Sequence, residues 1–412
     1  MSLEKCKGCR DLSPGEMARF RAIEDAFRET TAKWGYQEVR TPTLEYLNLF
    51  TAAGTLTPGM LNRVYSFLDW DGWSGQRVVL RPDGTIPIAR MYIDSPPKEL
   101  AARYSYVVNT FIFEETGVKA RERWQCAAEL IGANTAAANV ELITLSLEVL
   151  SGLGLNGVEV RLSHAGIIQA LLAGLELSHG EQDRIFDQLL DGDPDVLEKL
   201  KPDKPELVKT LALVLDMKGK SSGFLKNIGA MVGDAARLDK PLADFIATIE
   251  LLDELGVNYQ INLASGRGFE YYTGMIYHLF SGETNVGGGG RYDALVPQMG
   301  GRETPAAGFA LYMGRLMELI DTDKPADAGI LIRHKPGAAG AAFVIAGQLR
   351  ESGFTACFGA AGGGYAWTLD IAADKAGFVL TNVAGGKKTT CRTPTEVLVQ
   401  LGGNIVAEDS PT

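Results

Sequence analysis

The chain has 412 residues, 46% of them hydrophobic and 22% charged, with a formal net charge of −11. That length exceeds one ordinary core, so two or three domains are expected, and the acidic balance disfavours broad electrostatic attraction to nucleic acid. No run reaches the roughly 20 apolar residues of a membrane span, and the start, MSLEKCKGCRDLSPGE, has no apolar signal core, which points to the cytoplasm.

The first element is well marked. Ser13-Pro14-Gly15-Glu16 supplies an N-cap serine, a proline at the first helical position and a capping-box glutamate. Phe20, Ile23, Phe27 and Trp34 then fall roughly on one helical face, and Gly35 closes it. A strand follows through Glu38-Val39-Arg40, stopped by Pro42. Val78 to Leu80 reads as a short strand that runs into the turn Arg81-Pro82-Asp83-Gly84-Thr85 and a helix from Ile86. The stretch FIFEETGVKARERWQCAAELIG, residues 111–132, reads as two strands around a basic loop that holds Lys119, Arg121 and Arg123.

Residues 136–151 predict a helix and Val158 to Leu162 a strand. From 165 to 255 the apolar spacing is helical, an insertion between strand-rich segments. Strands return at Tyr259–Leu263 and Met275–Phe280. Gly287-Gly288-Gly289-Gly290-Arg291-Tyr292-Asp293 reads as a turn, with a helix starting near Pro305. Beyond the acidic, proline-containing segment 321–327, strand 329–333, helix 339–352, strand 354–358, helix 367–376, strand 378–381 and a helix near 394–401 make a small α/β domain.

The five cysteines are scattered and odd in number, unlike a disulfide framework. Cys6 and Cys9 form a lone C-x-x-C with no accompanying ligand cluster, so no metal site is expected. His164, His179, His278 and His334 are isolated, and each reads as a packed or surface histidine.

Four polar clusters sit beside strands: Asp83 with Thr85, Gln125 with Glu129, Arg267 with Glu270, Tyr271 and Tyr272, and Arg291 through Asp293. Gln125 and Glu129 are four apart, so on one strand they share a face. Carboxylates on a buried face are costly unless paired or bound to something. Such a face suits an amine and a donor-bearing ring, and Arg267 suits a carboxylate. The same clusters also fit structural ion pairs, and composition alone stops there.

The segments KGCRDLSPGE, EVRTPTLE, LRPDGT, QCAAELIG, GRGFEYYTG, GGRYDAL and AAGFALYMGRL, in this order, resemble the histidyl-tRNA synthetase family over nearly the whole chain. The resemblance implies an α+β, class II synthetase-like core of antiparallel sheet and flanking helices, dimerising around Pro42. It divides the chain into core 1–164, helical insertion 165–255, core 256–322 and an anticodon-binding-like domain 328–403. It implies that Asp83 and Thr85 hold an amino group, that Gln125, Glu129, Tyr271 and Tyr272 form a histidine pocket, and that Arg267 meets the carboxylate. Asp83 stands where the catalytic family usually has glutamate. Arg121, Arg123 and Arg315 would be the residues for ATP.

Two departures bear on activity. Ile112 stands where the catalytic family has the arginine that binds the reacting phosphate, an electrostatic contact of a kind worth about 10²–10³-fold in rate. Residues 326–412 hold seven basic and seven acidic side chains, and GAAGGGYAWTLDIAADK lacks the lysines the family carries there, so tRNA binding is disfavoured. In both respects the chain resembles the family's non-catalytic branch, the regulatory subunits of ATP phosphoribosyltransferase. That branch implies L-histidine as ligand, a short-form catalytic subunit as partner, a homodimer, feedback control, and neither catalysis nor cofactor of its own. The alternative is a histidine–tRNA ligase using ATP and Mg2+ with Arg267 as a catalytic residue, supported by Arg267, Arg315 and the near-complete C-terminal domain. A stand-alone histidine-binding protein is a third reading.

Overall fold

The computed structural model describes residues 4–53, 61, 63–70, 75–97, 101–113, 120–173, 177–178, 181–182, 185, 188, 196, 205–232, 238–263, 272–321, 329–359, 364–372 and 377–402. The chain forms two compact units, Met1–Asp321 and Thr322–Thr412. No described helix is long and apolar enough to cross a membrane.

The first unit opens with α1 (Pro14–Lys33). Its start is closed by a reciprocal cap: Ser13 N–H donates to Glu16 Oε2 at 2.8 Å, and Glu16 N–H to Ser13 Oγ at 3.4 Å. β1 (Gln37–Glu38), β2 (Leu44–Tyr46), α2 (Leu47–Ala52), β3 (Ser66–Leu68), β4 (Arg77–Leu80) and α3 (Thr85–Asp94) follow, with β2, β4 and β3 in a small antiparallel sheet. β5 (Ala102–Phe111) and β6 (Glu122–Ile131) form a long antiparallel hairpin with Tyr104 opposite Glu129.

Next come α4 (Ala136–Gly152), β7 (Glu159–His164), α5 (Ala165–Ala173), α6 (Pro205–Asp216), β8 (Lys218–Gly219), α7 (Ser222–Val232) and α8 (Asp239–Glu254). The unit ends with β9 (Tyr259–Asn262), β10 (Met275–Ser281), β11 (Thr284–Arg291), α9 (Leu295–Gln298), β12 (Ala306–Tyr312) and α10 (Met313–Leu319). The main sheet has nine strands in the order β1-β5-β6-β12-β11-β10-β7-β9-β8. It is antiparallel except for β1 with β5 and β7 with β9. α1 packs against α4 and α10, and all three pack against the central strands. Phe27, Ile143, Leu311 and Leu316 are among the residues this packing removes from water.

The second unit holds β13 (Ile330–His334), α11 (Ala339–Glu351), β14 (Ala356–Phe358), β15 (Trp367–Ile371), β16 (Phe378–Asn382), β17 (Lys388–Cys391) and α12 (Pro394–Gln400). Its sheet runs β14-β13-β15-β16-β17, parallel on either side of β13 and antiparallel beyond β15. Ile330, Ile332, Ala342, Ile345, Leu349 and Leu369 make its separate core.

Three expected elements differ. The glycine run is not a turn but half of β11, paired on both sides, and none of Gly287–Gly290 takes a positive φ. The expected helix near Pro305 is β12, and helix begins only at Met313. A strand paired on both sides and buried on both faces carries an unbroken apolar run, AAGFALY, that lacks the alternation of a half-exposed strand. The expected helix 367–376 begins as β15, where Leu369 and Ile371 alternate inward; residues 373–376 lie outside the described set.

Candidate functional site

Glu129 lies on β6 with 1% of its surface exposed. Three hydroxyls from three elements converge on it. Thr85 Oγ1, at the start of α3, donates to Oε1 at 2.8 Å; Tyr106 OH, on β5, donates to the same oxygen at 2.7 Å. Tyr292 OH, just past β11, donates to Oε2. Burial pushes the Glu129 carboxyl up, to about 8, although the bonds from Tyr292, Tyr106 and Thr85 oppose the rise. Burial likewise raises the Tyr106 and Tyr272 phenols well above their ordinary range.

Local sequence sets this convergence. The turn that carries Asp83 is held by Arg81, a buried guanidinium that donates to Thr41 O at 3.0 Å, Pro42 O at 3.1 Å, and Asn109 O and Oδ1 at 2.8 and 2.9 Å. Asp83 Oδ1 accepts the Ile86 N–H at 2.9 Å, which satisfies one of the free amides at the start of α3. Gly84 is required for space: a Cβ there would lie 2.7 Å from both Gln125 Nε2 and the Tyr106 ring. Gly308 faces Glu129 across β6 and β12, and a Cβ would run into the carboxylate. A Cβ at Gly290 would lie 2.7 Å from the Tyr272 ring. The glycines of β11 and β12 thus let side chains lie flat on the sheet.

Above Glu129 is a small pocket lined by Asp83, Thr85, Gln125, Tyr272, Gly288, Tyr292, Gly308, Phe309 and Ala310 and partly open to solvent. Of the seven expected histidine-site residues, Asp83, Thr85, Gln125 and Tyr272 line it and Glu129 lies beneath. Arg267 and Tyr271 lie outside the described residues. Tyr106 and Tyr292 were absent from the sequence-based assignment. Tyr292 belongs to the polar cluster Arg291 through Asp293, in which Arg291 is a brace: it donates to Asn139 Oδ1, to Ala133 O at 3.1 Å and to Asp293 Oδ1 at 3.0 Å.

The expected ATP residues make contacts of their own. Ile112 N–H donates to Arg121 O at 3.0 Å. The Arg121 guanidinium stands over Phe113, 4.8 Å from the ring centre. Arg123 Nε donates to Ala120 O at 3.3 Å. Arg315 pairs with Glu318 at 3.5 Å, both more than half exposed, a contact of little energetic weight. Lys119 lies outside the described residues.

Residues 8–316 match the family model described as histidyl-tRNA synthetase. The chain belongs to the histidyl-tRNA synthetase family. Within it, the chain is 53% identical over 408 residues to an ATP phosphoribosyltransferase regulatory subunit of Dehalococcoides mccartyi, covering 97% of this chain and 99% of that one. It is 31% identical to a histidine–tRNA ligase of Methanosarcina acetivorans over 85% of this chain and 84% of the ligase. A solved structure of an ATP phosphoribosyltransferase regulatory subunit/histidyl-tRNA synthetase from Bacillus halodurans superposes with a TM-score of 0.77 at 24% identity, over 90% of this chain and 98% of that one. The fold is that of the family: a class II core followed by a small mixed α/β domain. Thr85, Glu129, Tyr292 and Gly308 bring four of the segments that carry the resemblance, LRPDGT, QCAAELIG, GGRYDAL and AAGFALYMGRL, together in space.

Proposed function

We propose that this chain is a regulatory, histidine-binding subunit of ATP phosphoribosyltransferase, the first enzyme of histidine biosynthesis. It would act with a separate short-form catalytic subunit and pass on feedback inhibition by histidine. The observation that carries the reading is end-to-end similarity at 53% identity to a chain of that name, against 31% and a shorter span for a ligase. The C-terminal unit falls within that similarity, so its presence agrees with a regulatory subunit as well as with a ligase.

The pocket supports histidine as the ligand. Glu129 would accept an imidazole N–H, Asp83 and Thr85 would hold the ammonium, and Gln125 and the Tyr272 ring would fix the side chain's orientation. From the family resemblance, Arg267 and Tyr271 would complete the pocket, and two copies would form a homodimer. Isoleucine at 112 offers no hydrogen bond to a phosphate, which favours binding over activation. Bound histidine can regulate only by binding two states of the assembly with different affinity.

Histidine-dependent ATP–pyrophosphate exchange by the purified chain, with calorimetry in parallel, separates the readings. Binding without exchange is expected. Robust exchange would establish a working synthetase site and overturn the regulatory reading.

A further inference from the structure

Cys6 and Cys9, the C-x-x-C near the start of the chain, take no part in the pocket. They are the two exposed cysteines of the five; Cys126 and Cys391 are buried and Cys357 is half-buried. All five are free thiols. The pair lies at the two ends of a closed turn. Cys9 N–H donates to Cys6 O at 3.0 Å, and Gly8 between them has a φ of 77°. Such a bond joins the first and fourth residues of a β-turn, and a type II turn needs a positive φ at its third residue, which glycine supplies. A β-turn brings its first and fourth Cα atoms within about 7 Å, and a disulfide spans about 4.4–6.8 Å. The turn thus holds the two cysteines at bridging range.

The turn is anchored to the body of the first unit. Gly8 O accepts the Arg121 N–H at 2.9 Å, and Arg121 O accepts that of Ile112 at 3.0 Å, which ties the turn to the loop end of the β5–β6 hairpin. Lys7, within the turn, is exposed, so an acidic reagent meets a cation between its two targets. A bridge here would do little to brace the fold. The stabilisation a disulfide gives grows with the length of chain it closes, and only Lys7 and Gly8 lie between these cysteines. Exposed disulfides are also the readily reduced ones. The geometry suits a bond that is made and broken.

We propose that Cys6 and Cys9 form a reversible thiol–disulfide site, oxidised by a small disulfide of the glutathione class. One thiolate attacks the external disulfide; a mixed disulfide forms and one external thiol leaves. The second thiolate attacks the protein sulfur of that mixed bond, closing the Cys6–Cys9 bond and releasing the second external thiol. The cysteine pair gives up two electrons and two protons, and the external disulfide takes up both to become two thiols. Excess external thiol runs the same steps backward. The site is separate from the pocket and independent of what the pocket binds.

The test equilibrates the full chain in glutathione buffers of increasing oxidised fraction, blocks free thiols by alkylation and maps each cysteine by peptide mass spectrometry. A Cys6–Cys9 bond within one chain should accumulate and be reversed by reduced glutathione, while Cys126 and Cys391 stay reduced. Cys6→Ser and Cys9→Ser should each keep a glutathione adduct on the remaining cysteine, because the second step has lost its nucleophile. Gly8→Ala strains the turn at its positive φ and should lower the equilibrium constant for closure on the order of tenfold. Two free thiols at every ratio, bonds only between chains, or stable adducts on both cysteines of the unaltered chain would overturn the site. Closure in Gly8→Ala equal to that of the wild type would overturn the role given to the turn.

Discussion

Glu129 carries two opposed influences: burial favours its neutral form, and three hydroxyl donors favour the carboxylate. Its folded-state value of about 8 stands above the ordinary 4.5. The stability it contributes is therefore fully present below the ordinary value and is lost as pH rises through about 8. Glu129→Gln cannot ionise, so it should gain on the wild type between about pH 5 and about pH 8, by up to ~1.4 kcal/mol per pH unit. Denaturant unfolding at both ends of that range checks this; a constant difference would mean that the carboxyl titrates normally. With histidine as the proposed ligand, the same group should set the pH profile of its binding. A free imidazole loses its proton near pH 6.5, so between about 6.5 and about 8 one proton serves the pair and none need be exchanged. Below that window a proton must leave on binding, and above it one must be taken up, so affinity falls on both sides. Calorimetry from about pH 5.5 to about pH 9 should show this maximum, and a flat profile would contradict the pairing. Glu129→Ala should cost at least tenfold in histidine affinity, as expected for loss of a charged hydrogen bond, with the fold intact by circular dichroism.

At the scale of elements, the period-2 spacing of Gln125 and Glu129 was legible because it lies within one strand. The partners of Glu129 were not. Tyr106 reaches it across a hairpin and Tyr292 from beyond β11, and cross-strand register is not encoded by local spacing. The glycine run illustrates the same limit. Glycine in sequence signals a turn, yet here β11 needs the absence of side chains because Tyr272 and the β12 backbone occupy their places. AAGFALY was misread as helix for a related reason, since burial on both faces erases the alternation that marks a strand. α1, by contrast, carries its cap, its proline and its apolar face in local sequence and was read correctly. Gly308→Ala tests the element-level account. Its methyl would meet the Glu129 carboxylate and, at 2.7 Å, Ala128 O. The variant should lose about 1–3 kcal/mol of stability together with histidine binding. Thermal melting that matches the wild type, with binding retained, would contradict the packing described for β12.

For the whole molecule, the question is whether a synthetase fold has kept its amino-acid pocket while its chemistry has moved to a partner. The family and fold were legible because seven short segments occur in order along the chain; the partner was legible only as an implication of that resemblance. Ile112→Arg should not by itself produce ATP–pyrophosphate exchange above background, because Glu115 and Thr116 stand where the catalytic family usually has Arg-Pro. Strong exchange in that variant would mean that the remaining synthetase machinery is intact. The most direct measurement is phosphoribosyl transfer to ATP by a short-form catalytic subunit, assayed alone, with this chain, and with this chain plus histidine. The account predicts activity that depends on this chain, is inhibited by histidine, and loses that inhibition with Glu129→Ala. Activity indifferent to the chain, or histidine inhibition unchanged by Glu129→Ala, would contradict it.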